Sequence, residues 1–257
     1  MLDVQAPVPI LAVWQRFAGV PMETLTKAWW LNQCGGVARQ RTVAEMRGHR
    51  ESLRSGGNCF DLALWLIAEL EEAGVTARPI GHGFETPRAH IAVVARASAG
   101  EYLCDLGDQW IQPVLIDPQN SAFTPGWLED FFPGAKVRLQ RDRDTLYVHY
   151  LFPDGGGNQQ TYDLRAISDG GLERACAHSQ GLLRKPLVEI LVRHPGTGEL
   201  GAWEFSRFRS LWRLPSGHRA EPNCVDLAEW ANRIVERTRM SSELVTEALR
   251  LYAPRIA

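Results

Sequence analysis

An α+β fold, with helices gathered ahead of strands, is what this sequence predicts, and three observations predict it. Apolar residues recur at helical spacing as far as Gly74. Beyond Gly74, β-branched and alternating runs separated by Gly, Pro and Asp clusters take over. The chain then closes on a mixed tail with two more helical stretches. A parallel βαβ sheet would alternate strands and helices instead of segregating them. At 257 residues the chain has room for one large domain or for a few subdomains around a shared core.

The elements follow in order. Residues 11–17 and 22–34 read as two helices broken around Gly19-Val20-Pro21, the second capped by Thr24 and stopped by Gly35-Gly36. Residues 42–54 set Val43, Met46 and Leu53 among charges, the pattern of a more exposed helix. In residues 60–73, Leu62, Leu64, Trp65, Leu66, Ile67 and Leu70 surround the cylinder, so this helix is buried on most sides. Gly74 suits the position that ends it. A strand is expected at 75–80, a loop at 81–88, a buried strand at 89–97, and a second strand at 102–106 after the turn Ser98-Ala99-Gly100. Further strands are expected at 137–139, 145–152, 160–164, 186–192 and 200–205, with helices at 169–178, 225–238 and 241–252.

Composition narrows the function classes. A net charge of −2 and a pI near 6.4 give no reason to expect nucleic acid or an anionic membrane as partner. Five widely spaced cysteines without a CxxC pair indicate neither a zinc ribbon nor a disulfide framework, and they fit reduced thiols in the cytoplasm. The first fourteen residues have no basic start and carry Pro7 and Pro9, unlike a signal peptide. No apolar run approaches the roughly 18 residues that cross a bilayer.

Chemistry concentrates at Ser55-Gly56-Gly57-Asn58-Cys59-Phe60-Asp61-Leu62. A cysteine where a Gly-rich turn enters a helix meets N–H groups that no earlier carbonyl satisfies, and these favour an anion and later an oxyanion. The plainer role for such a cysteine is that of a small buried hydrophobe. His90 opens the next buried strand, and Asp105 lies on the strand after it. If those strands pair antiparallel, both side chains sit at one open end of a hairpin, facing the helix that starts at Cys59. The carboxylate then fixes the imidazole tautomer and leaves the other nitrogen for sulfur. A charge inside Tyr102-Leu103-Cys104-Asp105-Leu106 needs a partner in any case. His82 competes as base but falls in a glycine-flanked loop expected to be exposed. Cys104 competes as nucleophile but lies on a strand with no helix terminus beside it.

The turn just quoted, followed by His90-Ile91-Ala92-Val93-Val94 and by Tyr102-Leu103-Cys104-Asp105-Leu106-Gly107, resembles the arylamine N-acetyltransferase pattern: a Gly-Gly-x-Cys-Phe-Glu-like turn, a His-led strand and a strand ending in Asp-x-Gly. The resemblance is specific over residues 50–110 and looser elsewhere. It implies a helical bundle (1–85) carrying the nucleophile, a central antiparallel β-barrel (86–190) carrying His and Asp, and a C-terminal α/β lid (191–257). It also implies a papain-like triad in which Cys59 is acylated, His90 acts as base and acid, and Asp105 orients it. The reaction would be ping-pong transfer from acetyl-CoA, or another acyl-CoA, to a small-molecule amine. No permanently bound cofactor and no metal are implied.

By the same resemblance the loop Thr86-Pro87-Arg88-Ala89 contacts the donor through Thr86 and Arg88, with Arg88 meeting a phosphate, while Phe60, Asp108 and Trp110 face the acceptor. Asp108 stands where many bacterial members carry an aromatic residue, which favours a polar or cationic amine over a flat apolar one. Ser55 replaces the usual Arg before the glycines. An amide synthase, a papain- or transglutaminase-like hydrolase and a catalytically silent binding protein are the alternative readings, and the oligomeric state is not legible.

Overall fold

The computed structural model describes residues 5–253; residues 1–4, part of the stretch read as unlike a signal peptide, lie outside it, as do 254–257. Its first part is helical: α1 (Val8–Arg16), a two-residue strand β1 (Met22–Glu23), α2 (Leu25–Gln33), α3 (Val43–Leu53) and α4 (Cys59–Glu72). Eight strands follow: β2 (Thr76–His82), β3 (His90–Ala97), β4 (Gly100–Cys104), β5 (Val114–Leu115), β6 (Leu128–Phe132), β7 (Ala135–Asp142), β8 (Thr145–Leu151) and β9 (Gly157–Asp163). They form one antiparallel sheet in the order β5-β4-β3-β2-β9-β8-β7-β6. The Ile111 N–H, just before β5, donates to the Phe131 carbonyl on β6, so the sheet curls into a nearly closed barrel.

After α5 (Asp169–Gly181) come β10 (Leu187–Arg193), β11 (Leu200–Ser206), β12 (Arg209–Leu214) and β13 (Gly217–Ala220), then α6 (Leu227–Thr238) and α7 (Ser242–Tyr252). A second antiparallel sheet runs β1-β10-β11-β12-β13. The barrel sheet crosses the division drawn from the sequence at 85/86 because β2 belongs to it, and the second sheet crosses both 85/86 and 190/191 because it joins β1 to β10, which itself spans 190/191. Two apolar cores result. One joins α1 and α4 to the barrel through residues such as Val13, Leu66 and Val93. The other packs Leu25 of α2 with Trp203, Trp230 and Leu244.

Several expectations shift. Residues 22–34 do not form one helix: Met22 and Glu23 pair with Glu189 and Val188 of β10, and the buried Glu23 carboxylate accepts from the Thr26 N–H and hydroxyl. The helix therefore starts at Leu25, and the Thr24 hydroxyl, expected as its cap, donates to the Lys185 carbonyl instead. Strand β2 runs through Gly81 and His82, where a loop was expected, because Gly81 lies against Ile91 and the His90 carbonyl with no room for a side chain. The buried helix begins one residue earlier than expected, at Cys59 itself.

Candidate active site

The nucleophile turn is held from below by a buried ion pair. Arg41 Nη2 donates to the Gly56 carbonyl at 2.7 Å and to Asp61 Oδ2 at 2.9 Å, and both side chains are closed to solvent. Gln180 donates to the other Asp61 oxygen. A Cβ on Gly57 would come within 2.4 Å of Arg41 Nη2 and 2.6 Å of Asp61 Oδ2, so the paired glycines let the backbone close over this pair. Asn58 and Asp61 form a reciprocal cap: Asn58 Oδ1 accepts from the Phe60 and Asp61 N–H groups, and Asp61 accepts from the Asn58 N–H. Cys59 is thereby fixed at the first position of α4, half-buried. On the turn's other side the Glu23 N–H donates to the Gly57 carbonyl, tying the second sheet to it.

The hairpin supplies the rest. In β3·β4, Val93 faces Cys104. Extending that register sets Asp105 opposite Ala92, on the face that His90 shares two residues away. His90 Nε2 meets Asp105 Oδ2 at 2.8 Å. Asp105 is fully buried and accepts two further hydrogen bonds, from the Tyr162 hydroxyl at 2.7 Å and from the Asp108 N–H at 3.0 Å. Cys59 is a further hydrogen-bond partner of the imidazole. Gly107 sits at the centre: a Cβ there would lie 2.7 Å from Cys59 Cβ, 2.9 Å from His90 Cε1 and 3.2 Å from Asp105 Oδ1. Sulfur, imidazole and carboxylate meet around a residue with no side chain.

Electrostatics favour a charged imidazole. Burial pushes the His90 pKa down, but the Asp105 and Asp108 charges and the hydrogen bonds to Asp105 and Cys59 outweigh it and raise it well above 6.5. Burial pushes Asp105 up, and the His90 charge with three hydrogen bonds brings it below the ordinary range. Burial first, then the Asp105 charge, holds the Tyr162 phenol well above its usual range, so it remains a donor. His90, Asp105 and Asp108 present potential ligand atoms within 4.8 Å of one another, the make-up of a small metal site. Both Asp105 oxygens already accept hydrogen bonds, which suits a proton-bearing histidine better than a cation.

A cleft of about 420 Å³ opens over Cys59 and His90. Thr86 and Asp108 line it, with Asp108 Oδ1 3.8 Å from His90 Nε2. Three residues expected there are elsewhere. Arg88 lines a neighbouring groove with His82 and Tyr162. Phe60 is wholly buried against Phe84, because the first turn of α4 drives it into the core. Trp110 is buried in the barrel against Phe132 and Tyr150. His82, expected to be exposed, is a half-buried strand residue whose ring lies 5.8 Å from that of His90. Cys104 is fully buried, and burial drives its thiol far up the pH scale. The cleft also takes Lys27 from α2, Arg184 and Lys185 from the segment before β10, Glu189 from β10 and Arg207 from the β11–β12 turn. No local motif marks these five; only the closure of the second sheet over the turn brings them in.

No protein-family model matches this chain, and no curated protein matches it in sequence. Solved structures do match in fold. Mycobacterium marinum arylamine N-acetyltransferase in complex with CoA superposes with a TM-score of 0.74 at 15% identity, covering 100% of this chain and 92% of that one. The arylamine N-acetyltransferase of M. tuberculosis gives 0.69 at 17% identity, covering 98% and 93%. That of Salmonella typhimurium gives 0.68 at 12% identity, covering 97% and 93%. The chain has the fold of these enzymes along its whole length.

Proposed function

We propose that this protein is a cysteine acyltransferase that takes an acyl group, acetyl in the simplest case, from an acyl-CoA onto Cys59 and passes it to an amine. The observation that carries the reading is the hydrogen-bonded row Cys59–His90–Asp105 at the N-terminus of a buried helix, inside a cleft. The shared fold supports it, and one of the similar enzymes is a complex with CoA. Lys27, Arg184, Lys185 and Arg207 give the cleft a basic wall suited to the phosphates of such a donor. Arg88, turned into the neighbouring groove, has no part in that wall.

The steps follow from the geometry. Asp105 holds His90 through Nε2, so Nδ1 is the nitrogen that serves the sulfur. The Cys59 thiolate attacks the thioester carbonyl, and the oxyanion faces the Cys59 N–H at the helix end, where the dipole favours negative charge. The CoA sulfur leaves with the proton of the imidazolium. An amine then attacks the acyl-Cys59 carbonyl, His90 takes its proton, the C–N bond forms, and the C–S bond breaks to return the thiolate. All five cysteines are unpaired, which suits the reducing cytoplasm as the setting. Among the described residues no helix is long and apolar enough to cross a membrane.

The test is release of CoA thiol from acetyl-CoA with and without an added amine. Transfer predicts one rapid equivalent without amine and sustained release with it. Equal sustained release in both conditions contradicts transfer and marks a hydrolase.

A further inference from the structure

The cleft is lined by groups of both charges. Besides its basic residues it holds Asp108, on the loop after β4, and Glu189, brought over Cys59 because β10 pairs with β1 at Met22. Charge is not balanced around these two. Four carboxylates, Asp105, Asp108, Glu189 and Glu204, share two cations. Arg213 sits 3.0 Å from Glu189 and 3.9 Å from Glu204, and His90 is hydrogen-bonded to Asp105. Asp108 is left with His90 Nε2, a nitrogen already held by Asp105, at 3.8 Å and with Gln160, a neutral partner. Its side chain is 29% exposed, so the carboxylate is open to the cleft. An aromatic acceptor finds little to stack on, because among the described residues no Phe, Tyr or Trp lines the cavity and both Phe60 and Trp110 are withdrawn into the core.

We infer that the acceptor is an amine bearing a second, positive charge, an α,ω-diamine being its simplest form, and that Asp108 with Glu189 holds that charge while the unprotonated amine faces Cys59. The inference rests on the acyl-transfer reading for the fate of the amine. One ammonium stays bound at the two carboxylates and undergoes no chemistry. The other nitrogen, unprotonated, forms the C–N bond; its proton goes to His90, the C–S bond breaks, and the product leaves as a mono-acylated diamine. Asp108 is here a specificity residue, and its effect belongs in KM more than in kcat.

The experiment chases acetyl-loaded protein with a four-carbon diamine, with the four-carbon amino alcohol that replaces one ammonium by a hydroxyl, and with aniline. The diamine is expected to exceed the amino alcohol in kcat/KM by about tenfold, mostly through KM, and Asp108→Asn to bring that ratio close to one. Glu189→Gln should lower it part of the way. A ratio near one in the unmodified protein, a ratio that survives Asp108→Asn, or aniline as the best acceptor would overturn the inference. Calorimetric titration of the unacylated protein with the diamine and the amino alcohol makes the test independent of acyl chemistry. Tighter diamine binding that Asp108→Asn abolishes supports the cation site even where no acetyl-enzyme forms, an outcome that sinks the transferase reading alone. Acetyl-enzyme formation with equal binding of the two amines sinks the cation site alone.

Discussion

Asp105 shows what a single buried residue must satisfy. Its carboxylate is out of water, so it is charged only because His90, Tyr162 and the Asp108 N–H surround it. Asp105→Asn keeps the shape and removes the charge that orients the imidazole. Acyl transfer should fall by about a thousandfold or more while the circular dichroism spectrum stays unchanged, and full turnover in this variant would remove Asp105 from the mechanism. Gly107→Ala is a sharper probe, because the added methyl would enter the space between Cys59 and His90. Loss of acylation is expected, with a stability cost of about 1–3 kcal/mol that leaves the chain folded; normal acylation would mean that sulfur and imidazole do not work together. Cys59, His90 and Asp105 were legible as candidates because residue type, order and a hairpin spacing bring them to one end of two strands. Arg184, Lys185 and Arg207 were not, since an arginine or lysine in a loop looks the same whether it faces a cleft or bulk water. Phe60 and Trp110 misled for a related reason: chain proximity to Cys59 and Asp105 does not say which way a side chain turns.

At the scale of elements, the nucleophile turn depends on partners distant in sequence. Arg41 precedes α3, Gln180 ends α5, and Glu23 belongs to a two-residue strand; all three hold the segment that presents Cys59. Arg41→Met would leave Asp61 charged and buried without its partner. Chemical denaturation should show a loss of about 3–5 kcal/mol, and a loss below about 1 kcal/mol would mean that the pair is not what fixes the turn. The longer elements were legible because α4, β3 and β4 announce themselves by period and by β-branched runs. The strands β1, β5, β6, β12 and β13 escaped because two to six residues carry too little period to read, and only pairing with their neighbours defines them. The β11–β12 turn was equally silent: Arg207 and Phe208 both adopt left-handed backbone, at φ 52° and 57°, without the glycine or asparagine that usually signals it.

Across the whole molecule, both sheets reach the cleft, the barrel through His90 and the second sheet through Met22, Leu187 and Glu189, so the site lies on a seam between them. The seam has a cost that pH should reveal. In the amine-free protein burial, opposed by Arg213 and reinforced by the Glu204 and Asp108 charges, holds the Glu189 carboxyl up at about 7, against an ordinary 4.5, and an ammonium bound beside it would draw it back down. The folded protein thus keeps a proton that the unfolded chain loses between those values. The corresponding stability is full below about 4.5 and is lost as pH rises through about 7. Glu189→Gln has no proton to lose, so its stability relative to the unmodified protein should improve by about 1–3 kcal/mol between pH 5 and pH 8. An equal offset at both pH values in urea unfolding would refute this. The α+β class was readable because segregation of helices and strands is written along the chain, whereas the closure of one sheet over the other is a property of distant pairings such as Met22 with Glu189. The central claim is that Cys59 carries the acyl group. Its most direct test is rapid-quench mass spectrometry of the protein mixed with acetyl-CoA, followed by peptide mapping. The account predicts one acetyl group per chain, on the peptide containing Cys59, and none in Cys59→Ser; acetylation at another residue, or none at all, would contradict it.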